Sequence, residues 1–244
     1  CDGNCLTAVD CNGDCGGDAV ADSCGVCNGD GLSCQTPSGA AQDLFISEYA
    51  EGSSNNKYIE IYNGTGSDVD LSSYEMWKIS NGGDWAESTL SLSGTLATGE
   101  VYVFCNGSSD GTILDQCDEV WTQANFNGDD AIGLAKDGVL IDAVGQDGSD
   151  PGSYFTVCDG DTKDNTIVRN CDIIQGNPNW AISSASETCE WTVYSNNTWD
   201  YVGSHDTCYE APCPDVSCEL FCENGFVLDA NGCDTCECIE VVIE

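Results

Sequence analysis

Leu44-Phe-Ile-Ser-Glu-Tyr-Ala-Glu-Gly52, followed at once by Lys57-Tyr-Ile-Glu-Ile-Tyr-Asn63, is the stretch on which the fold turns. Apolar and polar residues alternate with a period of two on both sides of a Gly, Ser and Asn cluster, the pattern of two β-strands joined by a turn. In Tyr58-Ile-Glu-Ile-Tyr62, Ile59 and Ile61 are expected on one face and Tyr58, Glu60 and Tyr62 on the other. The same texture recurs at Thr89 to Leu92, Val101 to Phe104, Ala131 to Ala143, Thr166 to Val168 and Trp191 to Tyr194. Ala135-Lys-Asp-Gly138 predicts a hairpin, because Asp-Gly accepts the positive φ angles of a tight turn. No stretch sustains a helical period, so the chain from Asp43 to Cys208 is expected to be an all-β sandwich.

Outward from this segment, cysteine spacing divides the chain. Nineteen cysteines fall into groups of seven, six and six. The first (Cys1 to Cys34) and the last (Cys213 to Cys238) are too poor in apolar residues to fold around a core, so disulfides are expected to hold them, which places the chain in an oxidising, extracellular compartment. Zinc is disfavoured although Cys24-Gly-Val-Cys27 and Cys233-Asp-Thr-Cys236 have metal-ligand spacing, because the cysteine spacings are irregular and the one histidine, His205, lies in the central segment. The odd total leaves one thiol over, and Cys1 is the candidate for an unpaired or intermolecular bond. Gln35 to Gln42, without charge or cysteine, is expected to be a linker into the central domain. The expected domains are therefore residues 1–34, 43–208 and 209–238, with a terminal strand or tail at 239–244.

Charge restricts the partners. Forty-three acidic residues face five basic ones, for a formal charge of −38. A nucleic-acid partner is excluded, since phosphates need clustered Lys and Arg. Calcium is the cofactor this composition would accept, and no organic cofactor is expected. No apolar run approaches the ~20 residues of a membrane span, and no signal peptide precedes Cys1, so no membrane insertion is expected and the chain is taken as a mature form or an excised piece.

The central motifs carry a resemblance. The two opening strands, then Leu96-Ala-Thr-Gly-Glu-Val-Tyr-Val103, Asn127-Gly-Asp-Asp-Ala-Ile-Gly-Leu134, Leu140-Ile-Asp-Ala-Val-Gly-Gln146, Asp164-Asn-Thr-Ile-Val-Arg169, Glu190-Trp-Thr-Val-Tyr194 and Trp199-Asp-Tyr-Val-Gly-Ser-His205, resemble in order a lamin-tail domain of secreted bacterial type. The resemblance runs from Asp43 to His205 and implies an immunoglobulin-like sandwich acting as an interaction or anchoring module. Asp22-Ser-Cys-Gly-Val-Cys-Asn-Gly-Asp-Gly-Leu-Ser-Cys34 resembles a cysteine-rich element of extracellular matrix proteins. Cys213 to Cys238, with six cysteines and Gly225-Phe226, resembles the antistasin inhibitor repeat. That resemblance implies a protease-pocket residue after the second cysteine, here Glu219, followed by Leu220. A carboxylate there opposes trypsin-like pockets and favours a compact spacer.

No HExxH, GxSxG or P-loop pattern is present, so no enzyme is expected and no catalytic residue is assigned. His205 is expected to be structural. The calcium candidates are Asp10, Asn12 and Asp14, Asp129 with Asp130, and Asp159, Asp161 and Asp164. Asn63, Asn106 and Asn196 head N-x-S/T sequons and are candidate glycan acceptors. Sequence neighbours are the expected disulfides of the central group: Cys105 with Cys117, Cys158 with Cys171, and Cys189 with Cys208. The tail residues Ile239, Val241, Val242 and Ile243 alternate as a strand able to pair with an exposed sheet edge. Together these features predict a structural or adhesive extracellular protein that assembles with itself, or binds other extracellular proteins or glycans. The alternatives are a protease inhibitor acting through Glu219, or an anchoring fragment of a larger secreted hydrolase.

Overall fold

The computed structural model describes residues 41–208, 222, 226–228 and 234–238. Of the two compact units into which the chain divides, residues 1–38 and 39–244, the first lies outside the described residues. In chain order the strands are β1 (Phe45–Glu51), β2 (Lys57–Tyr62), β3 (Val69–Asp70), β4 (Tyr74–Ile79), β5 (Ser88–Ser91), β6 (Thr95–Leu96), β7 (Val101–Cys105), β8 (Glu119–Val120), β9 (Ala131–Lys136), β10 (Val139–Val144), β11 (Thr156–Val157), β12 (Gly160–Asp161), β13 (Asn165–Arg169), β14 (Trp191–Ser195), β15 (Phe226–Leu228) and β16 (Asp234–Cys238). Two single-turn helices, α1 (Gly111–Leu114) and α2 (Trp180–Ser183), lie in connections.

A six-stranded sheet of order β14-β13-β1-β2-β7-β8 and a four-stranded sheet of order β10-β9-β4-β5 form an immunoglobulin-like β-sandwich. Its core joins Leu44, Ile46, Tyr49, Ile59, Ile61, Phe104 and Ile167 of the larger sheet to Tyr74, Met76, Ile79, Ile132, Leu134 and Val144 of the smaller, closed at the sides by Trp121, Phe126, Phe155 and Trp180. Asp137 and Gly138 both take positive φ (50° and 75°), so the expected Asp-Gly hairpin joins β9 and β10. The period-two reading misses the central strand β4. Its Lys78 is a buried lysine made tolerable by an ion pair, and it breaks the apolar alternation.

Strand β1 carries a β-bulge. Ile46 pairs with Ile61 but Glu48 pairs with Glu60, so Ser47 is the extra residue on β1. The bulge resets the phase of the strand. Ile46 and Tyr49 then join the inter-sheet core, while Glu48 falls on the opposite face beside Glu60. That outer face does not meet solvent. Ile113 of α1 and the segment that follows β14, with Trp199 and Val202, cover Ala50, Tyr58, Val103 and Cys105. His205 lies against Phe45 and Tyr62 at ring separations of 5.6 and 4.9 Å. Tyr58, Glu60 and Tyr62 do share a face, as the alternation predicts, but all three are buried.

Two further expectations are corrected. The linker assigned to residues 35–42 ends sooner, because Ala41 is already buried and donates its N–H to Gly64 O at 2.9 Å. The disulfides are Cys105–Cys117, Cys158–Cys189 and Cys171–Cys208, not the sequence-neighbour pairs Cys158–Cys171 and Cys189–Cys208. Tertiary contacts decide the exchange. Cys158 N donates to Ser184 O and Ser186 Oγ donates to Cys158 O, which holds the β11–β12 turn against the chain leading to Cys189. Cys208 N donates to Cys171 O, bringing the end of the covering segment to the end of β13. Within the C-terminal module, β15 and β16 form an antiparallel hairpin, and Cys222 is bonded to Cys238.

Candidate functional site

The basic residues are few, and the fold consumes them. Lys57 pairs with Glu51, Lys78 with Asp130, Lys136 with Asp43, and Arg169 with both Asp142 and Glu190. Among the described residues four of the five form ion pairs and Lys163 forms none, so the described surface presents carboxylates almost unopposed.

Arg169 is the deepest of these charges. Its side chain is fully buried between the sheets, with Nη2 donating to Asp142 at 2.5 Å, Nη1 to Glu190 at 2.6 Å and Nε to Ile46 O at 3.0 Å. The guanidinium also lies 3.8 Å from the centroid of the Trp191 ring. Asp142 in turn accepts from Ile46 N and Asn177 N, so one ionic cluster ties β1, β10, β13 and the approach to β14. The β9–β10 ladder has its own bulge at Ile141, immediately before Asp142.

Among the described residues, the carboxylates singled out for calcium do not converge. Asp130 accepts from Asn81 N and Asn127 N while paired with Lys78, which itself donates to Asn125 Oδ1 at 2.8 Å. These partners make Asp130 a loop anchor. Asp129 is buried with Oδ1 lacking a partner, and burial followed by the charge of Asp130 raises its carboxyl above the usual range. Tyr49 Oη, fully buried and also without a partner, feels the charges of Glu51, Asp130 and Asp129. Two such orphans facing one charged cluster are what a trapped water would satisfy. Asp161 closes the β12–β13 turn by accepting from Lys163 N and Asn165 Nδ2; Asp164 accepts from Asn196 Nδ2, and Asp159 is exposed. Among the described residues no three Asp, Glu, His or Cys side chains form a group that would hold a metal ion.

The sequons separate by burial. Asn63 is wholly buried, with Nδ2 donating to Ser67 O and Leu96 O at 2.8 Å each, so the folded chain offers no acceptor there. This corrects the sequon reading: Asn63 is a strand-end anchor whose Thr65 hydroxyl donates back to its Oδ1. Asn106 Nδ2 is half-committed to Ala124 O, and Asn196 lies in the turn after β14. Asp10, Asn12, Asp14, Cys1, Glu219, Leu220 and the tail residues Ile239, Val241, Val242 and Ile243 lie outside the described residues.

His205 lines a cleft of about 390 Å³ together with Asn170, Thr192, Tyr194, Tyr201 and Asp206. Burial, then the nearby Arg169 charge, push its imidazole down to about 4, so it is neutral at neutral pH. Packed on Phe45 and Tyr62, it serves the structure.

Glu48 and Glu60 are the groups that the sequence left unmarked. They face each other across β1 and β2 at 1 % and 0 % exposure. Tyr58 Oη donates to Glu48 Oε1 at 2.5 Å; Ser47 Oγ and Gly203 N donate to the two oxygens of Glu60 at 2.7 and 2.8 Å. Glu48 Oε2 has no partner. Desolvation, reinforced by the neighbouring acid, raises Glu48 far above the carboxylate range, and desolvation raises Glu60 to about 7. The signal that could have exposed them is the flanking tyrosines: a glutamate between two tyrosines on one strand face is poorly suited to open solvent.

No helix among the described residues is long and apolar enough to cross a membrane. No curated protein matches this chain. The family comparison instead resolves it by module: residues 213–238 match the family model described as Antistasin family, and residues 37–148, from before β1 to just past β10, match that of the Lamin Tail Domain.

Proposed function

We propose that this chain is a non-enzymatic extracellular structural or adhesive protein, a subunit or repeat of a surface assembly. The observation that carries it is the edge strand β5. Among the described residues Ser88-Thr-Leu-Ser91 pairs only with β4, and it has no charged or proline residue to discourage a further strand. The alternating tail from Ile239 to Ile243 of a second copy has the chemistry to add there. The disulfide staples and the two module matches support an extracellular setting. Calcium would screen the carboxylate surface that assembly must bring together.

Electron microscopy of the native material, with and without chelator and reductant, tests the proposal. Regular filaments or sheets are expected, loosened by chelator, and absent when residues 240–244 are deleted. Dispersed single particles under every condition would refute self-assembly.

The antistasin match favours one other role, inhibition through Glu219. Slowing of a glutamate-preferring protease by the native protein, abolished by Glu219→Ala, would establish it; no slowing would leave the module a spacer.

A further inference from the structure

Among the described residues the dipeptide Asn-Gly occurs at Asn63, Asn81, Asn106 and Asn127. Asparagine before glycine is chemically labile: the next backbone nitrogen closes on the side-chain carboxamide, and glycine has no Cβ to hinder it. Closure requires the peptide that joins the two residues to swing until Gly N meets Asn Cγ, so a peptide pinned by hydrogen bonds reacts slowly. Three of the four are pinned. Asn63 O accepts from Gly99 N at 2.8 Å, Asn106 O from Ser109 N at 3.0 Å and Asn127 O from Asp130 N at 2.9 Å. Further bonds hold the reacting groups themselves: Asn63 Nδ2 donates to Ser67 O and Leu96 O, Asn106 Nδ2 donates to Ala124 O, and Gly128 O accepts from Phe155 N and Thr162 Oγ1.

Asn81-Gly82, in the connection between β4 and β5, is held differently. Asn81 is exposed, and among the described residues neither its side chain, nor Asn81 O, nor Gly82 N is hydrogen-bonded. The anchors lie on either side of that peptide: Asn81 N donates to Asp130 Oδ1 at 2.9 Å, and Gly83 exchanges bonds with Gly148 at 2.9 and 2.8 Å. The fold also fixes the dipeptide. Gly82 takes φ +92° with no room for a Cβ, which would lie 2.4 Å from Asp150 N, and Asn81 takes φ 53°, a conformation that asparagine tolerates better than most residues.

We propose that Asn81 is a site of spontaneous deamidation. Hydroxide removes the proton of Gly82 N; the nitrogen bonds to Asn81 Cγ, the Cγ–Nδ2 bond breaks, and Nδ2 leaves as ammonia with a proton from water. Water then opens the succinimide at one of its two carbonyls to give aspartate or isoaspartate, so one water enters and one ammonia leaves with no change of oxidation state. Aspartate accepts the positive φ of residue 81 and adds one charge to the loop. Isoaspartate puts one more atom into the backbone between two fixed anchors, so it is expected to loosen the Gly83–Gly148 bridge or the Asp130 contact. Conversion accumulates with time and dates each molecule at the connection that leads into edge strand β5.

Incubating the intact, oxidised protein in mildly alkaline heavy-oxygen water, then mapping its peptides by mass spectrometry, tests this. Residue 81 is expected to take up one heavy oxygen, partly as isoaspartate, about tenfold faster than residues 63, 106 and 127. After reduction and unfolding in urea, where no peptide is pinned, the four are expected to react at similar rates. An unlabelled residue 81, earlier labelling of the folded protein at another of the four, or the same spread of rates in urea as in the folded state would overturn the assignment.

Discussion

Arg169→Ala is expected to lower the unfolding free energy by about 3–5 kcal/mol, because it strands the buried Asp142 and the half-buried Glu190 as uncompensated carboxylates. The loss also removes the donor to Ile46 O and the packing on Trp191, both within the six-stranded sheet. Removing the whole cluster is a different experiment. Arg169→Met with Asp142→Leu and Glu190→Gln discards the charges together and is expected to recover much of the stability, since a buried pair contributes little net energy over apolar packing. Urea denaturation of the three forms measures this; a single variant within about 1 kcal/mol of the native protein would mean that water reaches the cluster.

Replacing Cys171 and Cys208 by serine is expected to cost about 4 kcal/mol, from the chain-entropy relation for a 37-residue separation. The same relation gives about 3 kcal/mol for Cys105–Cys117, which closes only 12 residues. The larger effect has a second part. Cys208 is the far anchor of the covering segment that follows β14, so its loss is also expected to raise exchange across residues 199–204, whereas the Cys105 and Cys117 variant leaves that segment protected. Equilibrium unfolding read beside hydrogen exchange separates the two contributions. Equal midpoints for native protein and both variants would show that sulfur adds nothing to this sandwich.

Several elements of the sandwich were legible in the residues because the signals were local. The alternation of Lys57 to Tyr62, the Asp-Gly turn at residues 137–138 and the apolar runs on either side of it each specify geometry within a few neighbours. Strand β4 escaped because a buried lysine looks polar until its partner, Asp130, is brought 3.1 Å away from a distant loop. Among the described residues the acids singled out for calcium do not gather, for a related reason. Asp130 and Asp161 are committed to backbone N–H groups and turns, work that Asp performs in loops irrespective of any ion.

By itself the sequence determined the cysteine-rich, acidic character of the chain and the strand period that commits the centre to a sandwich. Only the tertiary structure decided what covers each strand face, and with it the roles of particular residues. Period two states that two faces differ; it does not state that both are buried, and it does not foresee that one extra residue at Ser47 turns Glu48 toward Glu60. Disulfide partners and the burial of Asn63 were settled in the same way, by distances between segments far apart in the chain. Such distances follow from how the sheets, the covering segment and the loops pack together, a property that no local pattern encodes.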